Sequence, residues 1–310
     1  MIRTDLAMEA REAAGGDQIP GVSVVNDDKG DGVTVTRVKI FSPEGEKALG
    51  KGMGMYVTVE VPALVTNDRS TENKAAEVLA AEIRALAGDN AIRNGVLVTG
   101  LGNRMVTADS LGPAVCDALF VTRHIKQYAP QEIDERINTV SAIAPGVLGV
   151  TGVETGEVIE GVVQNVKPAL VIAVDSLASR NVSRIRTTVQ LTDAGISPGS
   201  GIGNKRKALN RETLGIPVIA IGVPLVVYAS TIAEDLLTAA NEKNEGSKRI
   251  PDFEIQRMVE GISNVNGAEM VVTPKEIDFI IQSCARLVSN ALNLALHENM
   301  NLEEIQKYMS

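Results

Sequence analysis

Apolar positions recur along this chain at two periods, and the alternation between them predicts strands interleaved with helices. VTVTRVKI (33–40) and MYVTVEVPAL (55–64) alternate closely enough to be strands. TENKAAEVLAAEIRALAG (71–88) has helical spacing, with Ser70 or Thr71 as its cap and Gly88 as its stop. GVLVTGL (95–101), PALVIAVD (168–175), TTVQL (187–191) and GIPVIAIGVPLVV (215–227) are the remaining predicted strands; such near-continuous apolar runs suit strands covered on both faces. An Ala-rich helix is expected over 4–14, capped by Thr4 or Asp5, and another from near Asp109 through Ala118. Residues 141–159 carry turn signals and predict a long loop. Residues 273–299 form an amphipathic pattern that predicts a long helix, with Thr273 as cap and Pro274 in its first turn. The order of elements predicts an α/β sandwich in one domain, with no internal repeat and no linker.

Composition sharpens this picture. There is no Trp, and aromatics are only 3% of the 310 residues, so the core is built from Val, Ile, Leu and Ala. The net charge of −9 and the lack of a long basic run argue against a nucleic-acid surface. Cys116 and Cys284 lack metal-type spacing and fall in apolar helical patterns, as reduced core residues do. The N-terminus has no signal-peptide core, and no run of ~18 apolar residues predicts a membrane span. Cytoplasmic residence is the expectation.

Candidate chemistry is sparse. GSGIGN (199–204) lacks the full dinucleotide spacing and an acid downstream to hold a ribose. Its glycines, like those of GLGNRM (100–105), suit tight turns or backbone N–H groups that line a groove. The two histidines offer little: His297 is placed to act as a cation at a helix C-terminus, and His124 is expected at a surface. Ser200 has no G-x-S-x-G context. Two acids stand out, each just past an apolar strand in a glycine-rich segment: Asp109 and Asp175. In open α/β sheets ligands bind beyond the carboxyl ends of the strands, and two carboxyls there can divide acid and base work. The same residues also suit a helix cap at Asp109 and a loop acid at Asp175 paired with Arg180 or Arg184.

Several segments together carry a resemblance to a known family. RTDLAMEA (3–10), VTGLGNRMVTADSLGP (98–113), APGVLGVTGVETGE (144–157), VDSLASRNVSRIRTTVQLTDAGISPGSGIGN (174–204), LGIPVIAIGVP (214–224) and VTPKEIDFIIQ (272–282) resemble the germination proteases of spore-forming bacteria. The likeness spans nearly the whole chain in order. It departs where TADSLGP replaces TPDALGP, DSLASR replaces DALASR, and Leu225 and Tyr228 replace polar or acidic residues. The resemblance implies a three-layer α/β sandwich with a mostly parallel or mixed sheet, similar to hydrogenase-maturation peptidases. It also implies an atypical aspartic-type endopeptidase acting on small acid-soluble spore proteins in the spore core. Asp109 and Asp175 fall on the proposed catalytic acids, no cofactor or metal is called for, and a homotetramer is expected.

The family is made as a zymogen that cuts off a short N-terminal segment. Thr4-Asp5-Leu6-Ala7-Met8-Glu9 repeats the pattern of the family's substrates: Thr, acid, large apolar, Ala, any residue, Glu. Self-cleavage between Asp5 and Leu6 is the expectation, giving a 1–5 propeptide and a 6–310 peptidase domain. Acids before and after the cut call for a basic subsite, with Arg180, Arg184, Arg186, Lys205, Arg206 and Lys207 as candidates. The competing readings are a metallopeptidase of the same fold, in which His124 would supply the nitrogen ligand, and a non-catalytic oligomeric binding protein.

Overall fold

Period-two alternation puts Val57 and Val59 on one face of their strand and Tyr56 on the other, and the two faces receive different layers. The computed structural model describes residues 4–16, 18–66, 68–197, 207–242, 250–265 and 268–309. Its main strands are β1 (Val22–Asp28), β2 (Thr34–Ile40), β3 (Gly54–Glu60), β4 (Val96–Gly100), β5 (Val140–Ile143), β6 (Leu170–Ser179), β7 (Thr188–Thr192) and β8 (Val218–Tyr228). They form one sheet in the order β1-β2-β3-β7-β8-β6-β4-β5, and the short strand Val271–Val272 pairs with β8. β4 runs parallel to β5 and β6, and β6 runs parallel to β8. The β1-β2-β3-β7-β8 side is antiparallel, so the sheet is mixed.

Helices cover both faces, as the α/β pattern predicts. On one face Arg69–Ala87, Leu111–Asp117 and Ile277–Leu296 close over Val57, Val98, Ile172, Leu191 and Ile221. On the other, Thr155–Val166 sets Ile159 and Val163 against Leu97, Val171 and Ala173. Further along that face, Ala7 and Leu49 from two short helices pack on Val38, Ile40 and Tyr56. Ile277–Leu296 is long and apolar enough to cross a membrane by length and composition, but it is a core helix. Its Arg286 forms a two-pronged pair with Glu72 of the facing helix, with Nε donating at 2.7 Å and Nη2 at 3.0 Å.

Several boundaries differ from the sequence expectation. Residues 141–159 are not one long loop: they hold most of β5 and the start of the Thr155–Val166 helix. The turn signals there hid a helix whose apolar spacing continues past the glycines. β1 escaped notice because it is an edge strand with Val25 exposed, so its alternation is weak. Asp68, not Ser70 or Thr71, caps the Arg69–Ala87 helix, its Oδ2 accepting from the Thr71 N–H at 2.8 Å. Thr273 does not cap the last long helix; its hydroxyl donates to the Leu225 carbonyl at 2.8 Å, and the helix begins at Ile277. His297 is not a helix-end cation: it is fully buried beside Phe120, and burial holds its pKa down to about 4, so it is neutral.

Two glycines seat the first acidic loop on the sheet. A Cβ on Gly100 would lie 2.2 Å from the Gly112 carbonyl oxygen, and one on Gly112 would lie 2.5 Å from the Val174 carbonyl oxygen. Backbone thus packs against backbone where β4 meets the next helix, and no side chain fits between. Gly112→Ala is expected to destabilise the fold by about 1–3 kcal/mol or more, whereas Gly149→Ala, with open space around it, should change stability by about 0.5 kcal/mol or less. Urea unfolding followed by circular dichroism measures both.

Candidate active site

Asp109 reaches the sheet through a loop that doubles back on itself. β4 ends at Gly100, and the Leu101 N–H donates to the Val174 carbonyl at 2.8 Å, which ties the loop to β6. Gly102 then takes a φ of +104°, where a Cβ would sit 2.0 Å from the Asp109 carbonyl oxygen. The Asn103 N–H donates both to that carbonyl and to the carboxylate Oδ2, each at 2.9 Å. Asp109 closes a short 3-10 turn, Thr107–Asp109, and the helix proper starts at Leu111. The acid is therefore displayed rather than spent as an ordinary helix cap.

Asp175 lies within β6, not in a loop, and neither Arg180 nor Arg184 pairs with it. Its Oδ1 accepts from the neighbouring Ser176 N–H at 2.8 Å. The residue is half-buried and lines the cleft. Burial first, then the negative charges of Asp109 and Asp5, push its pKa up to about 8. Asp175 thus holds a proton at neutral pH.

Both acids line a cleft of about 750 Å3 along with Asp5, Lys51, Tyr56 and Gln190. The chain's own N-terminal segment lies in it. The Asp5 N–H donates to the Ala178 carbonyl at 2.9 Å, and the Ala178 N–H donates to the Asp5 carboxylate at 2.7 Å. Leu6 is fully buried against Leu177. The Leu6 N–H donates to the Thr4 hydroxyl at 3.1 Å, and that hydroxyl donates to the Glu9 carboxylate. Glu9 is 3% exposed and accepts from the Arg180 and Asn181 N–H groups at 2.7 and 2.9 Å, while Arg184 pairs with it at 3.0 Å. Thr4 and Asp5 do not cap a helix as expected: Ala7–Ala13 begins after Leu6 without a side-chain cap. Their polar groups are committed to the cleft instead.

The basic candidates separate. Arg184 reaches the segment directly, holding Glu9 and also Glu12. Arg180 contributes its backbone N–H, while its guanidinium pairs with Asp235. The Arg186 side chain donates to the Leu64 carbonyl at 2.7 Å, and Lys207 pairs with Glu160. Lys205, Arg206, Ser200 and the GSGIGN loop lie outside the described residues. His124 is exposed on a short helix and does not line the cleft. Among the described residues no three His, Cys, Asp or Glu side chains gather as a metal-binding set.

Two cleft residues were not anticipated. Lys51 donates from Nζ to the Thr4 carbonyl at 2.9 Å, and burial lowers its pKa despite the nearby Asp5 and Glu9. Gln190 donates from Nε2 to the Asp5 carbonyl at 3.0 Å and accepts at Oε1 from the Ala7 N–H at 2.7 Å. Gln190 left one signal, a lone amide inside a buried strand. Lys51, between two glycines, left none.

A model of the germination protease family matches residues 3–241 and 247–309. The chain belongs to that family. A germination protease of Caldanaerobacter subterraneus subsp. tengcongensis is 46% identical, with 99% of this chain and 98% of that protein covered. One from Clostridium acetobutylicum is 40% identical over 100% and 99% of the two chains. A solved [NiFe] hydrogenase maturation protease, HycI of Thermococcus kodakarensis, overlays 68% of this chain and 98% of its own at 15% identity, with a TM-score of 0.34. As a member of that family the chain is an endopeptidase of spore germination.

The raised pKa of Asp175 makes stability depend on pH with a fixed sign. From an unfolded value of 3.8 to a folded value of about 8, the folded state holds the proton more tightly than the unfolded chain. Its contribution is complete below the lower value and is lost as pH rises through the upper one. Asp175→Asn removes that titration. The thermal midpoint of the variant is expected to gain on wild type between about pH 5 and about pH 8.5, measured by calorimetry.

Proposed function

We propose that this germination protease is a self-processing zymogen that cuts its own Asp5–Leu6 bond and then opens small acid-soluble spore proteins at sites of the same pattern. The observation that carries this is the place of that bond. It lies in the cleft of Asp109 and Asp175, with Asp5 near enough for its charge to raise the Asp175 pKa. Residues 1–5 are then the propeptide and 6–310 the peptidase domain. The Ala178 N–H supports a preference for an acid before the cut, and the Glu9 contacts support one for an acid four residues after it. Family resemblance supports a homotetramer in the spore core, and exposed Leu236, Phe253 and Phe279 offer apolar surface for subunit contacts.

The unequal environments of the two acids support a division of roles between them. In this proposal Asp109, whose Oδ2 accepts from the Asn103 N–H, is the base that takes a proton from water. The water oxygen attacks the Asp5 carbonyl carbon. Asp175 starts protonated and gives its proton to the Leu6 nitrogen as the C–N bond breaks. The proton left on Asp109 passes back to Asp175, restoring the starting state. Because like charges in one site titrate together, the pair acts as a unit.

Asp109→Asn and Asp175→Asn are each expected to slow release of the N-terminal pentapeptide by about 10²–10⁴-fold, followed by mass spectrometry. N-terminal sequencing of the processed enzyme should read Leu6 first. Wild-type processing rates in either variant would refute the paired-acid mechanism, and a different first residue would refute the assigned cut.

A further inference from the structure

Gln190 grips the main chain on both sides of the Asp5–Leu6 bond. Its Nε2 donates to the Asp5 carbonyl at 3.0 Å, and its Oε1 accepts from the Ala7 N–H at 2.7 Å. The second contact fixes the amide so that nitrogen, not oxygen, faces the carbonyl. The side chain is buried, which locks the donor in a site shielded from water.

The register of the sheet places this donor across from Asp175. Gln190 on β7 pairs with Gly222 on β8, and Gly222 pairs with Asp175 on β6. Paired residues share a face, so Gln190 and Asp175 point the same way on either side of a residue with no side chain. Strands lie ~4.8 Å apart, so their backbones are separated by roughly 10 Å. The Leu177 side chain covers Gly222 in that gap, and Leu6 packs on Leu177, so the segment crosses above it between Asp175 and the amide. Both Gln190 contacts are to main-chain atoms, so the same clamp can form on any peptide that enters in this pose.

We infer that Gln190 is a catalytic residue, the donor that stabilises the oxyanion of the tetrahedral intermediate; this rests on the proposed cut between Asp5 and Leu6. Water adds its oxygen to the Asp5 carbonyl carbon and its proton to Asp109. The carbonyl electron pair moves to the oxygen that Gln190 holds. On collapse that pair re-forms the C=O bond, the C–N bond breaks, and the Asp175 proton goes to the Leu6 nitrogen. With the amide holding the oxyanion, Asp175 keeps its proton for the leaving group.

The test uses enzyme produced from residue 6 onward, so that no variant has to process itself, and a peptide carrying Thr-Asp-Leu-Ala-Met-Glu, with the cut mapped by mass spectrometry. Gln190→Met keeps the size and removes the donor. It is expected to lower kcat by about 10²–10³-fold while KM moves by only a few-fold. A second arm needs no variant: a thioamide at the Asp-Leu bond offers a poorer acceptor and should slow wild type strongly, with no comparable further loss in Gln190→Met. Cleavage after Asp by wild type, with undiminished kcat in Gln190→Met or a thioamide effect that persists in full in the variant, overturns the role of Gln190 and leaves the proposed function standing. Failure of wild type to cut after Asp overturns both.

Discussion

A carboxyl kept out of water beside a second carboxyl is the constraint on which the site depends. Asp175 lies within a strand whose other residues are largely buried, and taking its charge from solvent is costly. The fold relieves that cost by leaving the proton on. Asp109, brought against it from the adjacent strand end, adds like charge and strengthens the same outcome, as does Asp5 from the segment in the cleft. In the proposed mechanism two residues of one chemical type thereby acquire opposite duties. No metal or imported acid has to be invoked to explain the inequality, because burial and proximity supply it.

That arrangement relies on close backbone contact elsewhere. Gly100, Gly102 and Gly112 let β4, the loop and the following helix approach within distances that exclude any Cβ. The sheet register then sets Asp175, Gly222 and Gln190 in one row. The N-terminal segment lies across the cleft with its acids bound: Asp5 by the Ala178 N–H, and Glu9 by two backbone N–H groups and Arg184. The contacts that hold these two carboxylates are mostly main-chain donors, which do not depend on which side chain the enzyme carries at those points. In the proposed processing the same groups would also present its Asp5–Leu6 bond.

Much of this was legible in the chain, for reasons that can be stated. Continuous apolar runs such as LVIAV report burial directly, so β4, β6 and β8 were visible, and the acids at their ends drew attention by position. What was hidden depends on partners distant in sequence. Asp175 looked like a loop acid because β6 runs on past it to Ser179, where serines and alanines break the apolar run. Gln190 stands 185 residues from the carbonyl it holds, and only sheet pairing brings the two together. Thr4 and Thr273 read as caps because local spacing favours that use, but each finds a partner that local spacing does not contain. His297 read as a cation because helix ends favour one, and burial against Phe120 overrode that preference.

The proposed chemistry turns on the ionisation of a single side chain. Carbon-13 NMR titration of aspartate carboxyls measures it directly, with Asp175→Asn to assign the signal. One carboxyl is predicted to titrate near pH 8 in wild type and to be absent from the variant. If every aspartate carboxyl in wild type titrates in the ordinary range near 3.8, Asp175 carries no proton at neutral pH and the division of roles between the two acids is wrong.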